Sequence, residues 1–307
     1  MAGETGPIAD TVSLSISMVI AGLFAISVYN SLEIYISIYR TFRRRQGLYF
    51  WSAICANTGI PILSVSSLLR FFALAPAGPM SIVIDIGWWM MVTGQSLMVY
   101  SRLHLVIGDP RKLRWLLCMV IGMFLFVQVP VGILFIANNY YRGPNMETPI
   151  TTVFDGTEKT QLVVLSLQEV ILSGLYVYEW ANMRKQIEIT KGRKVQTMFH
   201  ELVTLFVVVV ALDISLIIIQ FANLFEIQVT YKPLVYSIKL KVETFVLNNL
   251  VELVSSGGNG PELPRGLMTM DRAVHDDDPW RSRRTPSLGA RGGNDSELPV
   301  PKKTVSI

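Results

Sequence analysis

The sequence is short of charge, of histidine and of cysteine, and each shortage removes a class of function. Charged residues make up 16% of the chain, against about a quarter in an ordinary soluble domain. The net charge of +4 says little by itself, and no nucleic-acid partner is expected. There are three histidines: His104 and His200 fall at the edges of apolar blocks and His275 lies near the end of the chain. A zinc site needs three or four ligands converging in one place, so no metal is expected. No Ser–His pair, aspartate dyad or glycine-rich phosphate loop stands out. No catalytic residue and no cofactor are expected, and the chain does not read as an enzyme. The two cysteines, Cys55 and Cys118, lie inside apolar blocks, which argues for two buried thiols and against a disulfide in the loops. No internal repeat is visible.

What the chain has in abundance is apolar residues, 51% of 307, gathered into runs long enough to cross a bilayer at roughly 20 residues each. The runs cover Thr11–Ile38, Leu48–Leu74, Met80–Val106, Trp115–Ala137, Leu162–Met183, Leu202–Leu224 and, after Lys232-Pro233, Leu234–Val254. Hydrocarbon leaves backbone polar groups no partner but each other, so runs of this length should be helices. The expected fold is an all-α membrane protein: a seven-transmembrane helix bundle over residues 11–256, preceded by a short extracellular N-terminus (1–10) and followed by a disordered cytosolic tail (257–307). The start of the chain, MAGETGPIAD, lacks a basic leader region, so the first run is expected to remain as a helix. Pro233 marks an expected helix start. Lys239, Lys241, Glu243 and Glu252 interrupt the seventh run, and a surface amphipathic helix is the competing reading. Lys239 and Glu243, four residues apart, are expected to pair on one face.

Basic residues set the direction. Between the first two runs stand Arg40, Arg43, Arg44 and Arg45. Arg102, Arg111, Lys112 and Arg114 flank the connection of the third to the fourth. Arg184, Lys185, Lys191, Arg193 and Lys194 join the fifth to the sixth. The opposite side has only Arg142, Lys159 and Lys232. The positive-inside rule then places the N-terminus outside a membrane, expected to be the plasma membrane, and the tail in the cytosol. The tail is rich in Gly, Pro, Ser and mixed charge and cannot bury enough apolar surface to order itself. Its Arg283-Arg284-Thr285-Pro286-Ser287 string is a candidate kinase target. Its Asn294-Asp295-Ser296 matches an N-glycosylation pattern that this topology leaves on the wrong side for glycosylation.

Polar groups inside the runs are the best pointers to function in such a chain. Counting 1.5 Å per residue from each centre sorts them into two layers. Asn30, Asn57, Gln95 and Asn248 fall toward the cytosolic side as an interhelical polar layer. Asp85, Glu169, Asp213, Lys239 and Lys241 lie at the centre or outward of it, with Gln128 and Pro130 at similar depth. With Trp88 and Trp89 as walls, these charged residues form the candidate ligand site, an outward-facing polar pocket; the bland alternative is a structural ion-pair cluster. Pro61 and Pro130 each remove a backbone hydrogen bond from mid-helix. Arg70 ends the second helix at the outer surface, where it can snorkel. Arg102 sits at the cytosolic end of helix three, where receptor-type bundles keep an arginine that gates coupling.

Three runs, Ala56-Asn57-Thr58-Gly59, Trp88-Trp89-Met90-Met91 and Gly94 through His104, resemble an uncharacterised family of fungal seven-helix integral membrane proteins that are described as receptor-like. The resemblance covers about Thr11 to Val254. It implies the seven-helix topology and carries no biochemical activity. The chain lacks an acid before Arg102, a cysteine joining helix three to the second outer loop, a proline in helix six and an N-P-x-x-Y in helix seven, so it does not fit the rhodopsin-like class. The expected function is a receptor-like sensor whose partners are the lipid bilayer, a small-molecule ligand and a cytosolic signalling protein reached through the inner loops and tail. The alternative is a small-solute or proton-coupled transporter. A retinal protein built on Lys239 or Lys241 is geometrically allowed but lacks the surrounding sequence of known retinal sites.

Overall fold

A computed structural model of the chain describes residues 14–41, 47–72, 74–107, 109–141, 149–187, 192–222 and 225–255, and the regular structure among them is helical throughout. Seven rods follow one another: α1 (Leu14–Thr41), α2 (Leu48–Phe71), α3 (Ala77–Val106), α4, α5 (Pro149–Ile187), α6 (Gly192–Phe221) and α7 (Phe225–Ser255). Helix α4 is one rod in three pieces, an α-helix Pro110–Met123, a π-helical turn Phe124–Gln128 and an α-helix Val129–Tyr141. Asp109 caps it by accepting a 3.0 Å hydrogen bond from the Arg111 amide, with Pro110 in the first turn where no amide is needed. Neighbouring rods close a ring in chain order, since α1 also packs on α7; α2 touches α7 and α3 touches α5 across the interior.

Six of these helices, α1 to α6, are long and apolar enough to cross a bilayer. Large apolar side chains cover their outer faces, among them Trp115 and Phe126. A soluble protein rarely exposes so much greasy surface in continuous form; these faces meet lipid, and the chain is a multi-pass helical membrane protein. Helix α7 is also long enough but too interrupted by charge to meet the same standard of apolarity. Two of its charged side chains, Lys239 and Glu243, point inward with Thr230, Val235, Ser237 and Leu240, and all six are buried. Tail residues 257–307, with their kinase and glycosylation strings, lie outside the described residues, as do residues 1–10.

The structure corrects several boundaries. Helix α7 starts at Phe225, so Pro233 lies inside it rather than at its start. Helix α5 starts at Pro149, well before the apolar run at Leu162, because its first turns pack Phe154 into the bundle. Cys118 is exposed on α4, and only Cys55 is partly covered.

The tightest seam joins α2 to α3. A Cβ built on Gly59 would lie 2.5 Å from the Met91 amide nitrogen, one on Gly94 would lie 2.6 Å from the Ala56 nitrogen, and one on Gly87 would lie 2.9 Å from the Leu63 nitrogen. No real side chain fits there, so these glycines let two backbones approach, the way small residues drive helix contact in lipid. The seam explains why the Ala56–Gly59 run and the glycines around the Trp-Trp-Met-Met run stand out in the sequence. Beside it, Pro61 frees the Asn57 carbonyl four residues earlier, and the Ser31 hydroxyl of α1 donates to it at 3.1 Å. The Asn57 side chain returns the contact, donating to the Ser31 carbonyl at 2.9 Å. Pro130 is accommodated differently: the π-helical turn ends just before it, a local register change that helices use at such breaks.

Gly94→Val and Gly59→Val should each destabilise the folded protein by about 1–3 kcal/mol or more through overpacking against backbone, read as a lower thermal-unfolding midpoint in detergent. Gly22→Ala and Gly122→Ala, where an added Cβ meets nothing within 4 Å, should be neutral or stabilising by up to about 1 kcal/mol. Equal loss in both sets would remove the seam from this account.

Candidate functional site

Helices α3 and α7 both carry polar residues at heptad spacing. Trp88, Gln95 and Arg102 recur every seven residues on α3; Lys232, Lys239 and Glu243 follow at seven and four on α7. Such spacings keep side chains on one helical face. The two backbones do not pack against each other along their length. Side chains bridge the space between them, in three tiers.

The middle tier is a buried ion cluster. Lys239 is fully buried, and its Nζ donates to Glu169 Oε2 of α5 at 2.9 Å and to Asp213 Oδ1 of α6 at 2.5 Å. The Gln95 amide donates to the other Glu169 oxygen at 3.1 Å. The Ser166 hydroxyl reaches Asp213 Oδ1 at 3.5 Å. Asp213 Oδ2 is buried with no hydrogen-bond partner. Four helices therefore meet at one ammonium ion, and two carboxylates share it.

Toward the end that carries the basic connections lies the second tier. Arg102 Nη2 pairs with Glu243 Oε2 at 2.5 Å, both side chains almost wholly buried. The guanidinium sits 6.0 Å from the centre of the Tyr49 ring of α2 and 5.9 Å from that of Tyr176 of α5, within cation–π range. The acid that pairs with Arg102 comes from α7.

Toward the opposite end lies a cavity of about 110 Å³. Its walls come from α2 (Ser67, Arg70, Phe71), α3 (Asp85, Trp88), α4 (Gly132, Phe135), α5 (Phe154, Glu158, Gln161) and α7 (Val229, Lys232), with further aliphatic residues between them. Lys232 pairs with Glu158, which also accepts from Gln228 at 3.1 Å. The Lys232 ammonium lies 5.3 Å from the centre of the Trp88 ring. Arg70 donates to Asn139 Oδ1 at 2.6 Å and lies over Phe135. Asp85 is 6% exposed, and its buried Oδ2 has no hydrogen-bond partner. The cavity joins the ion cluster through two aromatic rings. Trp88 meets Tyr236 edge to face at 5.7 Å, and the Lys239 Nζ lies 5.0 Å from the centre of the Tyr236 ring.

The residues expected in one outward pocket thus separate. Glu169, Asp213 and Lys239 do converge, but on one another rather than around a void. Asp85 and Trp88 line the cavity away from that cluster. Lys241 projects to the other side of α7, where it pairs with Glu33 of α1 at 2.7 Å, both half exposed, because it is two residues, about 200° of helical turn, from Lys239. Trp89 turns toward α4 and packs edge to face on Phe124 at 5.7 Å. Lys239 and Glu243 do not pair with each other; each finds a partner on another helix. Among the described residues, the amides of the expected layer do not bond to one another. Asn30 donates to Ser237 of α7 at 3.2 Å, Asn57 closes on α1, and Gln95 serves the ion cluster. Asn248 lies outside the residues whose side chains are described.

Sequence reasoning missed Glu243 as the partner of Arg102, Gly132 beneath Asp85, the two tyrosines around Arg102, and the α5 residues Glu158 and Gln161. The first was open to discovery, since Lys232, Lys239 and Glu243 share one face of α7 at spacings of seven and four, as Trp88, Gln95 and Arg102 share one face of α3. Glu158 and Gln161 precede the apolar run of α5 and carried no such signal. Among the described residues no group of three or more His, Cys, Asp or Glu side chains is placed to hold a metal ion.

Removing one partner of a buried ion cluster leaves an uncompensated charge. Lys239→Met should destabilise the protein by about 3–5 kcal/mol, and adding Glu169→Gln and Asp213→Asn to it should recover most of that loss. Lys241→Ala should cost less than about 1 kcal/mol, as half-exposed pairs do. Unfolding midpoints in detergent check both, and a harmless Lys239→Met would contradict the buried cluster.

A comparison with curated proteins returns no match. A protein-family comparison matches residues 5–261, from before α1 to just beyond α7. Over that span, which includes every residue of the three tiers, the chain belongs to the family described as a domain of unknown function, DUF7703.

Proposed function

We propose that the protein is a receptor-like sensor of seven membrane-spanning helices, in which a small ligand enters the cavity at the end opposite the basic connections and is read through α3 and α7 at the basic end. The observation that carries this reading is the continuous chain of contacts Trp88–Tyr236–Lys239 from the cavity wall to the ion cluster. The same two helices hold the Arg102–Glu243 pair beyond it. A ligand that moves Trp88 bears on Tyr236, hence on the ammonium that joins four helices. Buried ion pairs of this kind have discrete arrangements rather than a continuum, which suits a two-state element.

The seventh span is part of the proposal. A helix lying on the membrane surface would turn its charges to water. Helix α7 turns Lys239 and Glu243 to the interior and packs on α1, α2 and α6. With seven spans the positive-inside rule puts the cavity on the outer side of the plasma membrane, the tail in the cytosol and a signalling partner at the basic loops. The resemblance to fungal receptor-like proteins agrees with that placement.

A second reading, proton-coupled transport, is favoured by one observation. The two buried clusters contain three carboxylates, Glu169, Asp213 and Glu243, against two cations, Lys239 and Arg102. The surplus acid is a place to carry a proton, and such groups mark proton paths in membranes.

Two measurements test the proposal. In a chain with Cys55 and Cys118 replaced, an impermeant maleimide should label Gly47→Cys and Ser255→Cys from one side of the membrane and Ala75→Cys from the other; Ser255→Cys labelling with Ala75→Cys would mean six spans. At the basic end, the exposed His104, replaced by cysteine, should change its alkylation rate about five-fold or more when Trp88→Ala is added, the size of an ordinary coupling between sites. Trp89→Ala should leave it unchanged. An unaltered rate with Trp88→Ala would disconnect the cavity from the basic end, and solute flux in proteoliposomes that Asp213→Asn abolishes would establish the second reading instead.

A further inference from the structure

The cavity holds four charged side chains, and three of them are already engaged. Lys232 is paired with Glu158, and Arg70 is held by Asn139 and the face of Phe135. Asp85 is different. It lines the cavity, it is almost completely buried, and its Oδ2 receives no hydrogen bond. A buried carboxylate without a donor is costly, so a protein that keeps one beside a void has a use for its charge.

The carboxylate also has a place made for it. A Cβ on Gly132 would lie 2.2 Å from Asp85 Oδ2 and 2.8 Å from Oδ1. Only glycine on α4 lets the carboxylate sit where it does, with Oδ2 pressed against that backbone while the residue lines the cavity. Asp85 stands eight residues into α3, roughly 12 Å from the start of that helix, whereas Arg70 occupies the last turn of α2. The unpartnered carboxyl group is therefore set well in from the helix end, while Arg70 lies at one and Lys232 is already paired with Glu158. Apart from Ser67 and Gln161, the remaining walls are apolar or aromatic, Leu63, Ile84, Val131, Phe154 and Leu162 among them.

We propose that the cavity takes a small organic ammonium ion, a primary or secondary amine with an apolar body, whose nitrogen donates to Asp85. The proposal rests on the sensor reading for its consequence and on the cavity alone for its chemistry. One carboxyl group left without a partner, in a cavity whose other three charged side chains are already engaged, suits an amine. Hard metal cations require six or more oxygens, and among the described residues nothing near Asp85 supplies them. The volume, about 110 Å³, limits the apolar body to something smaller than a six-membered ring, since a cavity of about 150 Å³ takes benzene. Ammonium nitrogen of this kind is presented by free amines and by ethanolamine lipid headgroups alike.

The test uses the full chain purified in detergent and its thermal-unfolding midpoint. The probes are isopropylamine and isobutylamine, their neutral counterparts isopropanol and isobutanol, and isobutyrate, all near neutral pH where the amines are charged. Both amines should raise the midpoint saturably, and the alcohols and isobutyrate should not. Asp85→Asn should abolish the amine effect. Gly132→Ala keeps the charge but displaces it, and should weaken the apparent affinity at least about tenfold, as the loss of one charge-assisted hydrogen bond does; it carries the test if Asp85→Asn does not fold. Nanodiscs with and without phosphatidylethanolamine separate the two sources: stabilisation by the lipid that Asp85→Asn removes assigns the headgroup, and its absence assigns the free amine. Alcohols that stabilise as well as amines, an unchanged saturation curve in both variants, or no response to either amine and to phosphatidylethanolamine would overturn the proposal. The sensor reading fails separately, on the alkylation of position 104. A cavity that takes alcohols or acids and still couples to that position would end the ammonium assignment and leave the sensor standing.

Discussion

A lysine ammonium buried away from the surface must find its counter-charge within the protein, and Lys239 finds two. Glu169 and Asp213 reach it from α5 and α6 while Gln95 steadies Glu169 from α3. In a low-dielectric interior these groups are tolerable together and not apart. The cluster therefore ties four helices to one point with a force that apolar packing in lipid does not provide, because lipid tails satisfy apolar side chains as well as another helix does. The position of α7 in the bundle depends on it. A helix carrying so much charge has no place among hydrocarbon chains unless its charges are met, and Glu243 is met in the same way by Arg102.

Around that centre the bundle uses weaker devices suited to the same solvent. The glycine seam of α2 and α3 replaces side-chain interdigitation by backbone approach, and so holds α3 in a fixed rotation. That rotation aims Trp88 and Asp85 at the cavity, Gln95 at the cluster and Arg102 at α7. On the other flank, hydroxyl and amide contacts between α1 and α2 or α7, such as Ser27 with Ser64 at 3.0 Å and Asn30 with Ser237, satisfy polar groups that lipid would leave unpaired. The Ser31 hydroxyl at the carbonyl freed by Pro61 belongs with them. The cavity lies where this packing stops, between five helices, and opposite the end that carries the basic connections. An aromatic pair is all that lies between the cavity and the central ammonium: Trp88 lines the cavity, Tyr236 lies beside Lys239, and the two rings meet edge to face.

Much of this was legible in the residues. Six apolar runs matched helices because each run had to be about as long as a bilayer is thick, and buried charge marked α3, α5, α6 and α7 as the helices that carry the interior chemistry. Counting along the axis placed Glu169, Asp213 and Lys239 at one depth, which is where they meet. It also placed Asp85 and Lys241 with them, and there it failed. Depth follows from a fixed rise per residue, but the direction a side chain faces follows from how the whole helix is rotated. Lys241 sits half a turn round α7 from Lys239 and ends beside Glu33; Trp89 sits one residue from Trp88 and ends against α4. The first turns of α5 were missed for a related reason. They carry Glu158 and Gln161 and are not apolar as a run, so only their burial against the other helices makes them part of the structure.

What the sequence by itself determined is therefore the solvent, the helices and the depth of each ionisable group, because these depend on chain-local quantities: run length, hydropathy and rise per residue. Tertiary structure decided which charges become partners and which carboxylate is left lining a cavity. Those outcomes depend on helix rotation, and rotation is set by contacts between residues far apart in the chain, above all the close approach at Gly59, Gly87 and Gly94 and the space that Gly132 leaves for Asp85.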